Sequence, residues 1–413
     1  MSEFPWSASD TPASRSRLLP PEEAPAVSLT RRVTASVIAS TLIAAGLAGC
    51  GSDDDSGGDV TDVVIGADLT VGSTVDTAYA RALQLKVEQL NASGELGKYR
   101  LVLRIQDNRA DTTSSLRNIG TFADDSQVAA IISGSCGGCV VDASKTINDK
   151  RIPTIALAPG DDVSSPVASR RYIFKLGANP TDSAAALVAE LKQTNKKRAA
   201  LLYTDGLYGH DGDTAMRKSL EKGGITVTQS QTVRAAATDI TQAVATLVAD
   251  KPDALIAVTS PDQTALAATS ARAANFGGGI YFDAGAAGDT FVPQAATTAM
   301  NNATMVFTQI LAIDDVIATT PAKASRQQWF RDYTSRYGSY SGVASFAADA
   351  VDLIASAVAQ VGGDRERIRD ILETSQTDGL SGSIRLTPDN HSGLMPQSLT
   401  LLVVRSGRWR IAS

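Results

Sequence analysis

Cysteine and histidine are scarce in this chain: 413 residues carry three cysteines and two histidines. So few soft and imidazole ligands argue against a zinc or iron–sulfur centre. Neither His210 nor His391 stands beside a serine or cysteine in a nucleophile motif, so a catalytic triad has no support. Phosphate loops are missing too: no Gly-x-Gly-x-x-Gly run occurs, and Gly277-Gly-Gly279 lacks the lysine of a Walker loop. Aromatics make up only 5% of the chain, the net charge is −6, and no basic stripe runs along it, which excludes nucleic acid as the expected partner. Beyond Gly49 no hydrophobic run approaches the roughly 20 residues of a membrane span. The expectation is a non-catalytic protein with no cofactor and no metal.

What is present begins at the N-terminus. Arg31 and Arg32 form a basic region, Val33 to Gly46 an apolar stretch of 14 residues, and Leu47-Ala-Gly-Cys50 a small-residue site ending in cysteine. This order resembles a bacterial lipoprotein signal, in which Cys50 is acylated and becomes the first mature residue. The segment 50–60 that follows is small and acidic, as a flexible tether should be. Residues 1–30, rich in Ser, Pro and Ala, read as disordered or as an early start, so 1–49 stands outside the fold. Export by the Sec or the Tat route is left open.

From residue 62 short apolar runs alternate with amphipathic ones, the βαβ signature of parallel sheets covered by helices. Val63-Val-Ile65, Leu101–Ile105, Val128–Ile132, Ile152–Ile155 and Tyr172–Phe174 read as strands. Helices are expected over Val75–Ala92, from a cap at Asp111 or Thr112 through Ser126, and over 140–150. A second series follows, with helices Thr181–Thr194, Gly209–Lys222, Thr238–Asp250 and Pro261–Asn275 between strands Ala199–Tyr203, Ile225–Val227, Ala254–Val258 and Ile280–Phe282. The remainder reads as helices near 322–337, 343–361 and 364–374 and a final strand pair, 398–404 and 408–412. Ligands of such sheets bind where strands end and helices begin.

Several stretches carry a resemblance: Ile65-Gly-Ala67, Gln89-Leu-Asn-Ala-Ser-Gly94, Ile132-Ser-Gly134 and Ile152-Pro-Thr-Ile-Ala-Leu-Ala158, then Tyr172-Ile-Phe-Lys175, Leu202-Tyr-Thr-Asp205 with Tyr208-Gly209, Thr238-Asp-Ile240 and Lys251-Pro-Asp-Ala-Leu255. In their order and spacing they resemble the type 1 periplasmic binding proteins, in particular the branched-chain-amino-acid-type solute receptors of ABC importers. The resemblance implies an α/β fold of two Rossmann-like lobes joined by a three-strand hinge. Lobe one would be 61–176 plus 310–381, and lobe two 177–309 plus 382–413. It further implies a monomer outside the cytoplasm, held to the membrane through Cys50, that binds a small molecule in the cleft and docks on an ABC permease. A lipoprotein that reports ligand to a membrane partner is the alternative.

Carried over residue by residue, the family's pocket falls on Ser73, Ser135, Cys136, Gly137, Gly138, Ala158 and Gly160 of lobe one, and Tyr208, Ser260 and Asp283 of lobe two. Three family side chains that read an α-amino acid align with Gly137, Gly160 and Ala284, so a standard amino acid is disfavoured. The expected ligand is a small organic anion or amide held by backbone amides around Ser135–Gly138 and Ala158–Gly160. Asp283, Asp205 and Asp161 are the candidate partners for a ligand ammonium. Cys136-Gly-Gly-Cys139 reads first as a local disulfide beside the ligand loop, with free thiols or redox or metal chemistry as alternatives.

Overall fold

The computed structural model describes residues 60–412. Cys50, the signal and most of the tether lie outside the described residues.

The first αβ series runs β1 (Thr61–Leu69), α1 (Thr74–Ser93), β2 (Tyr99–Asp107), α2 (Thr112–Asp124), β3 (Val128–Ser133), α3 (Gly137–Asp149), β4 (Thr154–Ala156) and β5 (Ile173–Lys175). Its five strands form a parallel sheet in the order β2-β1-β3-β4-β5. β3 is buried along its whole length, because helices cover both faces of such a sheet. Asp111 caps α2 by accepting the Ser114 N–H. α3 starts at Gly137, three residues before its apolar periodicity becomes visible at Val140, because Cys136 serves as its N-cap.

The chain then crosses to a second sheet through α4 (Pro180–Gln193), β6 (Arg198–Thr204), α5 (Leu207–Gly223), β7 (Thr226–Val233), α6 (Thr241–Val248), β8 (Ala254–Val258), α7 (Pro261–Ala273), β9 (Gly279–Phe282), α8 (Thr297–Met300) and β10 (Thr304–Thr308). α9 (Pro321–Tyr337), α10 (Ala344–Val361) and α11 (Arg365–Leu372) return to the first series, where α10 packs on α1 and α11 on β3. A hairpin of β11 (Gln376–Asp378) and β12 (Ser383–Arg385) leads back to β13 (Leu399–Arg405) and β14 (Arg408–Ile411), completing a sheet ordered β14-β13-β10-β9-β8-β6-β7. The result is two αβα lobes linked by three passes of the chain.

Two sequence expectations are corrected. The region after Phe282 is not free of strands before 398: Thr304–Thr308 is an interior strand, with Met305 registered on Phe282 at one side and on Leu402 at the other. The helix expected over Thr238–Asp250 contracts to Thr241–Val248, since Arg234–Ala237 closes a turn through the Ala237 N–H to the Arg234 carbonyl. α10 is long and apolar enough to cross a membrane by length and composition, but 72% of it is buried, which makes it a core helix.

Candidate functional site

The loops that follow β1, β3 and β4 approach the helices that follow β6 and β8: Thr74 of α1 bonds Asp262 of α7, and Gly137 and Gly160 lie beside Leu207 and Asp211 of α5. On lobe one, Ser73 caps α1 by accepting the Asp76 N–H at 3.0 Å. Asp76 itself, 1% exposed, takes the Thr70 N–H on Oδ2 at 2.6 Å and the Ser135 N–H on Oδ1 at 2.9 Å. Burial pushes its carboxyl pKa up, and these hydrogen bonds pull it part of the way back. A carboxylate of the chain's own thus ties the loop after β1 to the loop after β3.

Cys136 and Cys139 are joined by a disulfide with Cα atoms 5.3 Å apart, and the Cys139 N–H donates to Cys136 Sγ at 3.3 Å. The amide of Ser135, expected to serve a ligand, is therefore given to Asp76, and that of Cys139 is given to sulfur. Among the described residues no three His, Cys, Asp or Glu side chains converge as metal ligands.

Lobe two brings Tyr208, from the first turn of α5, onto Asp283 at the end of β9: its hydroxyl donates to Asp283 Oδ2. The ring needs Gly285, where a Cβ would lie 2.0 Å from the Tyr208 hydroxyl oxygen. Asp283 is 2% exposed, and its other oxygen, Oδ1, has no hydrogen-bond partner. Burial raises the Asp283 pKa to about 7, against the opposing pull of the Tyr208 hydroxyl and the nearby amides of Gly285 and Thr259. Burial likewise holds the Tyr208 phenol well above its ordinary value, reinforced by the Asp283 charge. Ser260 stands at the N-cap of α7 without capping it, and its hydroxyl, like that of the buried Thr259, is unpartnered.

The lobes touch along both rims of the cleft. Thr74 Oγ1 donates to Asp262 Oδ1 at 2.7 Å, joining α1 to α7. On the other side Leu207 packs on the lobe-one cluster that includes Val140, Ala158 and Val163. A Cβ at Gly137 would lie 3.5 Å from Leu207 Cδ2, and one at Gly160 would lie 3.0 Å from Asp211 Oδ2. Gly137 and Gly160 thus leave room for a lobe-two side chain. Ala158 is buried beneath them, while Gly138, with no atom within 4 Å of a would-be Cβ, faces open space.

Lys175, fully buried at the end of β5, donates to the Pro159 carbonyl at 3.2 Å and to Asn179 Oδ1 at 2.5 Å. Its ammonium ties the loop after β4 to the start of α4, and burial lowers its pKa to about 8 against the attraction of Asp161, Asp182 and Asp211. Sequence reasoning overlooked Asp76, Leu207, Thr259 and Lys175 as parts of the site. Ser73-Thr-Val-Asp76 has capping-box spacing, which could have pointed to Asp76.

Two αβα lobes with polar groups converging on the cleft between them define a two-lobed ligand receptor. The profile of the periplasmic binding proteins matches residues 64–408, and the chain belongs to that family. Among solved structures, an extracellular ligand-binding receptor from Rhodopseudomonas palustris HaA2 is 22% identical, with a TM-score of 0.77 over 86% of this chain and 100% of its own. A leucine-binding protein from Thermotoga maritima MSB8 is 18% identical, with a TM-score of 0.72 over 85% of this chain and 98% of its own. An ABC transporter substrate-binding protein from Desulfitobacterium hafniense in complex with Leu is 16% identical, with a TM-score of 0.69 over 85% of this chain and 100% of its own. These likenesses establish the shared fold. No curated protein matches the chain.

Proposed function

We propose that this chain is a non-catalytic, extracytoplasmic solute-binding lipoprotein that captures a small polar ligand by closing its lobes and delivers it to an ABC importer. In this reading 61–176 plus 310–381 close on 177–309 plus 382–413, and Cys50 carries the lipid that holds the receptor at the membrane beside its permease. The carrying observation is Asp283: a carboxylate 2% exposed, at the end of a cleft strand, with one oxygen bound by Tyr208 and the other without a partner. A buried polar atom of that kind costs free energy unless something satisfies it, and a ligand in the cleft can do so. The matching fold, with an ABC substrate-binding protein among its neighbours, supports the transport role.

The test is a thermal-shift screen with amino acids, short-chain and aromatic acids, amides and sugars. A ligand present at 100 times its Kd adds about 2.7 kcal/mol of stability. Stabilisation of the wild type that is lost in Asp283→Ala supports the assignment, and equal stabilisation of both proteins contradicts it.

A further inference from the structure

The cleft is set for a ligand of one charge class. On lobe one, the Ser135 N–H at the entry to α3, where a ligand carboxylate would be received, already donates to Asp76 Oδ1 at 2.9 Å. The Thr70 N–H holds the other oxygen, and the Cys139 N–H is turned to Cys136 Sγ. The favourable end of the α3 dipole therefore has an acidic side chain of the chain itself behind it. On lobe two stands a second buried carboxylate, Asp283, with Oδ1 unpartnered and with the unpartnered hydroxyls of Thr259 and Ser260 at the neighbouring strand end.

Among the described residues no basic side chain is bonded to Asp76 or to Asp283. Lys175 and Arg326 are the buried basic side chains among the described residues other than His391. Lys175 is spent on Pro159 and Asn179, and Arg326 on the Gly379 carbonyl and Asp378. His391 is turned to the Ile173 carbonyl and Glu373. A ligand carboxylate set beside Asp283 would face a buried acid with no basic partner, and like charges in a dry site disfavour one another. Asp283 Oδ1 can only accept when ionised, and a hydroxyl beside it can give or take a proton.

We propose that the ligand is a carboxylate-free molecule that presents N–H donors to Asp283: an amine or a primary amide. This rests on the receptor reading above, and it drops the organic anion from the range the sequence suggested. The family-type amino-acid carboxylate has no free seat at Ser135.

Isothermal titration with matched sets of equal carbon skeleton tests it on the full chain: leucine with leucinamide; isovaleric acid with isovaleramide and isopentylamine; benzoic acid with benzamide and benzylamine. The expected result is that the amide or amine binds at least tenfold more tightly than its acid in each set that binds. Asp283→Asn should then weaken the tightest amine or amide at least tenfold while leaving the unliganded protein folded, with a thermal midpoint no lower than that of wild type. An acid that binds more tightly than its amide, or an Asp283→Asn protein with unchanged affinity, overturns the ligand class and leaves the receptor reading standing. No binding by any member of the sets contradicts both.

Discussion

Tyr208 donates its hydroxyl to Asp283 Oδ2 and so fixes the carboxylate, with Oδ1 left without a hydrogen-bond partner. The pair couples the first turn of α5 to the end of β9.

Its pH signature has a definite sign. Burial raises the Asp283 pKa to about 7 from 3.8. The folded state therefore holds this proton more tightly than the unfolded chain does. The stability it contributes is complete below about pH 4 and is lost as pH rises toward 7. Asp283→Asn, which keeps an acceptor for Tyr208, should raise the unfolding free energy at pH 8 by up to roughly 4 kcal/mol, at 1.36 kcal/mol per unit. The gain should vanish at pH 4. Urea denaturation of both proteins at the two pH values checks this, and equal gains at both would contradict it.

Asp76 has a structural task that a substitution will expose. Asp76→Ala leaves the Thr70 and Ser135 amides without their acceptor. An unmet buried donor costs about 1–3 kcal/mol. Asp76→Ala should accordingly lower the urea midpoint, with Asp76→Asn losing less because one acceptor oxygen remains. Equal losses would show that charge, not hydrogen bonding, holds the two loops together.

The Cys136–Cys139 bond closes a very short loop, and its contribution should be small. Chain-entropy reasoning for such a loop gives about 2 kcal/mol. The double variant Cys136→Ser/Cys139→Ser should lose that much in urea denaturation with an unchanged m value. A loss beyond about 4 kcal/mol would mean that the sulfurs pack the start of α3 as well as constrain it.

Much of this architecture is legible in the sequence because its central strands are buried. Val63–Ile65, Val128–Ile132 and Ala254–Val258 are continuous apolar runs, as sheets covered on both faces require. β10 escapes notice because Thr304-Met-Val-Phe-Thr308 is short, polar at both ends and set after an irregular stretch, although tertiary pairing places it in the sheet interior. The candidate site residues come from the resemblance rather than from local pattern: Tyr208 keeps the family's residue type and Asp283 adjoins an aligned position, while their mutual hydrogen bond joins residues 75 apart in sequence. Asp76 escapes notice for the same reason: the capping-box spacing marks it as a helix-start residue, but its partner Ser135 lies 59 residues away.

The anchor is tested separately from the fold. Cys50→Ser should move the mature protein from the membrane fraction to the soluble one, since stable attachment needs more than one acyl chain on that sulfur or its amine. An unchanged membrane pool would contradict lipidation at Cys50.

The most direct test of the account is a crystal structure of the protein with the tightest-binding small molecule from the screen. The account predicts that molecule between the lobes, with an N–H donor within hydrogen-bonding distance of Asp283 Oδ1 and Tyr208 still bound to Oδ2. A ligand seated outside the cleft, or one in the cleft that leaves Asp283 Oδ1 without a partner, would contradict it.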